Sequence, residues 1–243
     1  DFGVNPKAEM WRLPAPFVGE YAEKDAEMTL KLWHALQHEI SKQDLWDVFN
    51  LETNLFPCLV DMKFKGVRVD AQKAMSVKAE LQETEKNLMR DINKLAGFDV
   101  EIWAAASIAK AFDKEKLPYD RTEKGAPSFT KNFLATHPAE LPKLINEARE
   151  INKANTTFID TILKHEHNGR IHAEINQIRS DQGGTVTGRF SYNNPNLQQI
   201  PARHKHLGPL IRSLFIPEEK HTWGCFDYSQ QEPRILVHFA SLM

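Results

Sequence analysis

Cysteine is nearly absent: the 243 residues hold two, Cys58 and Cys225. Two thiols supply neither a disulfide framework nor a Cys-rich metal site, and their apolar surroundings predict reduced, buried side chains. Long apolar runs are lacking as well. None approaches the ~18–20 residues of a membrane span, and no leader pattern precedes the first helix, so no membrane partner is expected. An excess of charge of one sign is lacking too. Lys+Arg total 31 against 33 Asp+Glu, a formal net charge of −2, so the molecule as a whole does not attract a polyanion. There is no internal repeat and no low-complexity segment. What remains is an ordinary globular composition, 26% charged and 41% hydrophobic, with enough chain for one large domain or two small ones. The chain opens on Asp1 rather than Met and reaches Met243 in a helical pattern; a piece of a longer protein is expected.

The charge is unevenly placed. Before Arg170 there are 23 Lys+Arg and 27 Asp+Glu, giving −4. From Arg170 to Arg212 six Lys/Arg stand against two acids, giving +4, with His172, His204 and His206 added. A basic stretch inside a mildly acidic chain suits a groove that receives a polyanion. A solvated basic face gives the same count.

In chain order, Asp1 to Gly19 reads as an irregular, proline-bearing arm. A helix is expected from Glu20 to Lys42, on which Tyr21 and Asp25 share a face four residues apart. That spacing lets a phenol and a carboxylate act together on a metal and a water, or simply bond each other on the surface. A second helix is expected from Leu51 to Lys65. Gly66-Val-Arg-Val-Asp70 then gives a turn and a short strand, and Asp70 caps a long helix stopped by Gly97. Its apolar stripe of Val77, Leu81, Leu88, Ile92 and Leu95 opposes a polar face, as in an exposed amphipathic arm. After short pieces and turns to Pro138, another long helix is expected from Ala139 to Lys164. Neither long helix sustains three clean heptads, which argues against a coiled-coil dimer and for a projecting helical subdomain. Asn168-Gly169 is a hairpin turn before an alternating strand, Arg170 to Asn176.

Two stretches carry the chemistry. Gly183 to Pro201 is too polar for a core element, yet Phe190, Leu197 and Ile200 give it anchors. Arg189, Asn196 and Gln198 hold donors and acceptors of the kind that read base edges, and minor-groove acceptors are nearly independent of sequence. Further on, Trp223-Gly-Cys-Phe reads as a strand that delivers Asp227 beside a helix N-terminus. Glu232 and Pro233 fall in that helix's first turn, and Ile235, Leu236, Phe239 and Leu242 form its expected buried stripe. A carboxylate so placed is a common way to hold a metal ion against a phosphate. A solvent-facing Asp after an edge strand has the same spacing.

Thr187-Gly-Arg-Phe-Ser191, Pro195-Asn-Leu-Gln-Gln-Ile-Pro201 and Asp227-Tyr-Ser-Gln-Gln-Glu-Pro-Arg234 resemble two defining motifs of family A DNA polymerases, the DNA polymerase I type. The family pattern is close to T-G-R-L-S-S-x-x-P-N-L-Q-N-I-P, then D-Y-S-Q-I-E-L-R. Tyr21-Ala-Glu-Lys-Asp25 resembles the third motif of the 3′–5′ proofreading exonuclease. Phe190, Tyr192, Gln199, Gln231 and Pro233 depart from the pattern, and the Gln-Gln-Glu-Pro-Arg version resembles a phage-type variant.

The resemblance implies an α+β, mostly helical fold: long thumb-like helices followed by part of an antiparallel palm sheet. Residues 1–48 would be the end of an exonuclease-like domain, 49–168 a thumb-like subdomain with the entry to the polymerase domain, and 169–243 the first part of the palm. It implies a magnesium-dependent nucleotidyltransferase of DNA replication, cytoplasmic in a bacterial cell or phage-infected host, with primer–template DNA and dNTP as partners. Asp227 and the Tyr228 backbone carbonyl would bind a pair of Mg²⁺ ions, and Glu232 would be the gate against a ribose 2′-hydroxyl. Arg189, Asn196, Gln198 and Arg203 would hold DNA, and Tyr21 and Asp25 would be an exonuclease remnant. The finger-helix motif and the His-Asp-Glu motif with the second palm carboxylate do not follow Asp227, and the first two exonuclease motifs do not precede Tyr21. One carboxylate cannot hold two metal ions. The isolated chain is therefore expected to be inactive until a C-terminal finger-and-palm half is supplied, from the same gene or a separate chain. A primer–template binding module or split-polymerase subunit without chemistry is the alternative. A phosphotransferase using Asp227 as nucleophile fits less well, because no D-x-D pattern or P-loop accompanies it.

Overall fold

The computed structural model describes residues 6–181, 183–202 and 204–242, which divide into two compact units, 1–62 and 63–243. In the first, a 3₁₀ segment (Pro6–Arg12) precedes α1 (Ala15–Lys42). This helix starts at Ala15 rather than at Glu20, because Pro14 and Pro16 fall at its cap and first turn, where a missing N–H breaks no helical bond. Asp44, at φ 54°, turns the chain into α2 (Trp46–Lys65). Trp33 and Phe49 stack between these helices at 5.4 Å, and Trp46 Nε1 donates to Ser41 Oγ at 3.0 Å.

The second unit enters its first strand through a glycine that the fold requires. Gly66 has φ 64°, and a Cβ there would come within 2.7 Å of the Ile171 carbonyl oxygen. Strand β1 (Val67–Arg68) follows, then α3 (Ala71–Ala96), whose cap Asp70 accepts from the Lys73 N–H at 2.8 Å. Gly97, at φ 71°, ends α3 as the sequence predicts. Next come α4 (Ala105–Lys114), the hairpin β2 (Asp120–Arg121) and β3 (Pro127–Ser128), and α5 (Lys131–Thr136), started by Thr130. They enclose a core around fully buried Phe112, whose ring lies 4.8 Å from that of Phe129. α6 (Glu140–Lys153) then packs along α3.

The helix expected over 139–164 is continuous but not uniform. Ala154–Ile159 is a π segment, with the Asp160 N–H bonded to the Asn155 carbonyl, before α7 (Asp160–His165). Both long helices serve two cores. Ile92 and Ala96 of α3 meet Ile145 and Ala148 of α6 in the Phe112 core. Val77 and Leu81 meet Ile151, Ile159 and Ile162 in a second core with Ile171, Leu207, Ile211 and Leu214. Each fully buried Leu, Ile or Phe here stabilises by about 1.5–3 kcal/mol.

The hairpin β4 (Glu166–His167) and β5 (Arg170–Ile171) turns at Asn168 and Gly169, φ 50° and 77°, and gives an antiparallel sheet of order β1-β5-β4. The strand expected over Arg170–Asn176 is split. His172 Nδ1 donates to the Lys63 carbonyl at 2.8 Å, and β6 (Glu174–Asn176) pairs instead with β7 (Ser191–Asn193). After α8 (Leu207–Arg212), residues 214–216 lie along β1, through Asp70 N–H to Leu214 O at 2.8 Å and Ile216 N–H to Arg68 O at 3.1 Å. The last helix is α9 (Gln231–Ala240). No helix among the described residues is long and apolar enough to cross a membrane.

Three expectations are corrected. Trp223–Phe226 is not a strand: among the described residues no segment offers it a ladder, and a strand without one leaves its backbone to water. The α9 stripe is not buried, Leu236 and Phe239 being 71% and 62% exposed, because no other element covers it. Cys58 and Cys225 are exposed free thiols, each on one of the uncovered segments rather than in a core.

Candidate nucleic-acid interface

The polar stretch before Pro201 folds through its own side chains. The β6–β7 register sets Glu174 opposite Asn193, Ile175 opposite Tyr192 and Asn176 opposite Ser191. Tyr192 packs on the core around Ile171. The chain turns through Asn194, at φ 49°, and a cis bond to buried Pro195. Asn196 Oδ1 then accepts from the Gln198 N–H at 3.0 Å and caps the 3₁₀ turn Leu197–Gln199. Leu197 and Ile200 pack on the same core, as expected of anchors, whereas Phe190 stays partly exposed. Gln198 Nε2 returns to the Phe190 carbonyl at 3.1 Å, and Thr185 Oγ1 donates to the Arg189 carbonyl at 2.7 Å. The loop is thus closed by short bonds, with Arg189, Asn196 and Gln198 all at its exposed surface.

A network that sequence reasoning missed supports it. Glu174 Oε2 accepts from Asn193 Nδ2 at 2.8 Å and from Asn194 Nδ2 at 3.1 Å, and Asn176 Nδ2 donates to Asn193 Oδ1 at 2.6 Å. The signal available was the alternation of the strand, which puts residues 174 and 176 on one face. On the other side of the motif, Glu150 of α6 bonds Lys131 Nζ and His204 Nε2, each at 2.8 Å. The Leu207 N–H donates to His204 Nδ1, so the Nε2–H faces the carboxylate. Burial pushes the Glu150 carboxyl up, but the hydrogen bonds from Lys131 and His204 outweigh it and hold it below the usual range. These groups border a pocket of about 460 Å³ with Lys153, Phe158 and Gln199.

The carboxylate segment hangs from the sheet. Arg170 grips Glu218 through two bonds of 2.8 and 2.9 Å, and Arg68 donates to the Pro217 carbonyl at 2.9 Å. The Arg170 hydrogen bond holds the Glu218 carboxyl below its ordinary value. Trp223 Nε1 reaches the Phe215 carbonyl at 3.3 Å. Asp227 and Tyr228 follow, both exposed, and Gln230 at φ 52° starts α9, with Glu232 in its first turn.

The structure brings Arg189 and Glu232 together, the guanidinium contacting the carboxylate, and so joins the two motifs. Asn196 and Gln198 share one turn. Among the described residues no group of three or more His, Cys, Asp or Glu is able to hold a metal ion, around Asp227 or elsewhere. Tyr21 and Asp25 lie in the first unit, both exposed on α1. Arg203 lies outside the described residues.

Residues 71–242 match the family model for DNA polymerase family A. A DNA-directed DNA polymerase of Pseudomonas phage M6 is 36% identical over all of this chain and 38% of its own length. The DNA polymerase DpoZ of Acinetobacter phage SH-Ab 15497 is 37% identical over 95% of this chain and 40% of its own. The thermostable DNA polymerase I of Thermus filiformis is 34% identical over 91% of this chain and 27% of its own. The chain therefore spans well under half the length of these relatives. In fold it is similar to the POL domain of Pol1 from M. smegmatis, solved in complex with DNA primer-template and dNTP, with a TM-score of 0.72 and 24% identity over 87% of this chain and 38% of that one. The chain belongs to DNA polymerase family A.

Proposed function

We propose that this chain is part of a DNA-templated DNA polymerase that adds dNTPs to a primer 3′ end. Residues 1–48 are assigned to the end of a 3′–5′ exonuclease domain, with Tyr21 and Asp25 its remnant site, 49–168 to the thumb and 169–243 to the first part of the palm. The observation that carries the reading is the match of residues 71–242 to DNA polymerase family A, a span that contains both the Thr187–Pro201 and the Asp227–Arg234 motifs. Arg189, Asn196 and Gln198 grip the minor groove near the primer terminus, where acceptors vary little with sequence. Arg203 contributes from the same basic stretch. Glu232 occupies the space that a ribose 2′-hydroxyl would need.

The metal pair is a separate matter. Mg²⁺ takes hard oxygen ligands near octahedral geometry. Asp227 and the Tyr228 carbonyl are too few to fit two ions, and among the described residues no group of three or more His, Cys, Asp or Glu is able to hold one. The remaining ligands are assigned to a finger-and-palm half outside this sequence. The test is reconstitution. Alone, the chain is expected not to extend a primed template with Mg²⁺ and dNTPs. With the C-terminal half it is expected to do so, and Asp227→Ala is expected to abolish extension. Full activity of the Asp227→Ala complex would overturn the assignment. DNA binding without any extension in the wild-type complex would leave the alternative, a primer–template binding module without chemistry.

A further inference from the structure

We infer that Glu174 is a positioning residue for DNA binding, one that aims Asn196 and Gln198 without touching DNA itself. The inference rests on the proposed minor-groove reading. Glu174 stands on β6, across from the motif rather than within it, and its Oε2 is the shared acceptor for two consecutive side-chain amides, Asn193 and Asn194. The Asn193 amide is held at its other end too, since its Oδ1 accepts from Asn176 Nδ2 at 2.6 Å. Asn194 is the residue at φ 49°, a conformation that a short amide side chain tolerates when it is bonded locally. Directly after it come buried Pro195, then Asn196 as cap of the turn carrying Gln198. The direction in which the 3₁₀ turn leaves the hairpin is therefore fixed at residues 193 and 194, and one carboxylate oxygen holds both.

Two alternatives are chemically distinct from this. Glu174 could act only through its charge, because Lys63 Nζ lies 3.8 Å from its other oxygen, Oε1. It could also be a mere stabiliser of the hairpin. Glutamine separates the first possibility, since its single amide oxygen accepts both asparagine bonds while the charge is lost. Coupling to Asn196 separates the second.

The experiment measures binding of the chain to a fluorescent primer–template by anisotropy, at several salt concentrations, with thermal unfolding of each variant alongside. Glu174→Ala is expected to weaken binding by roughly tenfold, as for the loss of one to two net hydrogen bonds. The salt slope should be unchanged, because no phosphate contact is removed. Glu174→Gln should bind at the wild-type level or more tightly. Glu174→Ala combined with Asn196→Ala should lose less than the sum of the two single losses, because one of the two side chains that Glu174 aims is already gone. Wild-type affinity in Glu174→Ala, failure of Gln to rescue, or additive losses in the double variant would each overturn the inference. If the wild-type chain does not bind, or Asn196→Ala binds as well as wild type, the minor-groove reading itself falls and takes the inference with it.

Discussion

Asn155 offers a direct test of the packing at the foot of the long helices. It lies in the π segment next to the core residue Ala154, 3% exposed, and neither its Oδ1 nor its Nδ2 has a hydrogen-bond partner among the described residues. A buried amide left unpaired costs roughly 1–3 kcal/mol, the desolvation of that group. Leucine has similar volume and no polar atom. Asn155→Leu should therefore stabilise the chain by about 1–3 kcal/mol, which at ~3 °C per kcal/mol for a chain of this size raises the Tm by roughly 3–9 °C. Asn155→Ala should come out near neutral, because the cavity it leaves offsets the relief. Asn155→Asp should fall below the wild type, since it buries a carboxyl that water no longer solvates. The assay is urea unfolding followed by circular dichroism, with the slope required to stay constant so that midpoints report stability. A Leu variant less stable than wild type by more than ~1 kcal/mol, with Ala above it, would show that the amide is bonded in the native state and would refute the reasoning.

Two further outcomes are expected. Glu232→Ala in the reconstituted complex should incorporate ribonucleotides more readily, read as a changed ratio of kcat/KM for dNTP and rNTP; an unchanged ratio removes the gate role. Glu218 makes stability depend on pH. Its carboxyl is held below the ordinary value by the Arg170 hydrogen bond, so the stability it contributes is present above the unfolded carboxylate range and lost as pH falls through the lower folded value. Wild type should exceed Glu218→Gln in urea midpoint at pH 7, and the gap should shrink as pH falls below the ordinary carboxylate range; a gap that does not shrink in acid would show the role is not that of a carboxylate.

The parts of the fold that the sequence announced are those governed by nearby residues. The Asp70 cap, the Gly97 stop and the Asn168-Gly169 turn depend on bonds within a few positions, and the apolar stripe of α3 shows in the local spacing whatever covers it. The π segment was not legible, because a sixth residue in a turn leaves the apolar spacing of Ala148, Ile151, Ile159 and Ile162 almost intact. The split after β5 was hidden for a related reason. Alternation continues through His172 and Ala173, and only the Lys63 carbonyl, far away in sequence, bends the chain there. Among the proposed site residues, Arg189, Asn196 and Gln198 stand in a motif, whereas Glu174 belongs to none and is defined by the strand across from it.

The two motifs differ in how much of their geometry this chain supplies. The Thr187–Pro201 motif is closed by bonds from its own residues and its neighbours: Gln198 to Phe190, Asn196 to Gln198, Glu174 to the asparagine pair, and Leu197 and Ile200 on a core. Little ordering remains to be done on binding, which favours affinity. The segment carrying Asp227 is tied at Glu218 and Trp223, and beyond that Phe226, Tyr228, Leu236 and Phe239 face water. An amphipathic helix with its apolar stripe in water gains little from folding until another element covers it. On the proposed reading, DNA grip and chemistry are then separable. Grip belongs to the preorganised hairpin and should survive Asp227→Ala, whereas chemistry waits for whatever covers α9 and completes the carboxylate set.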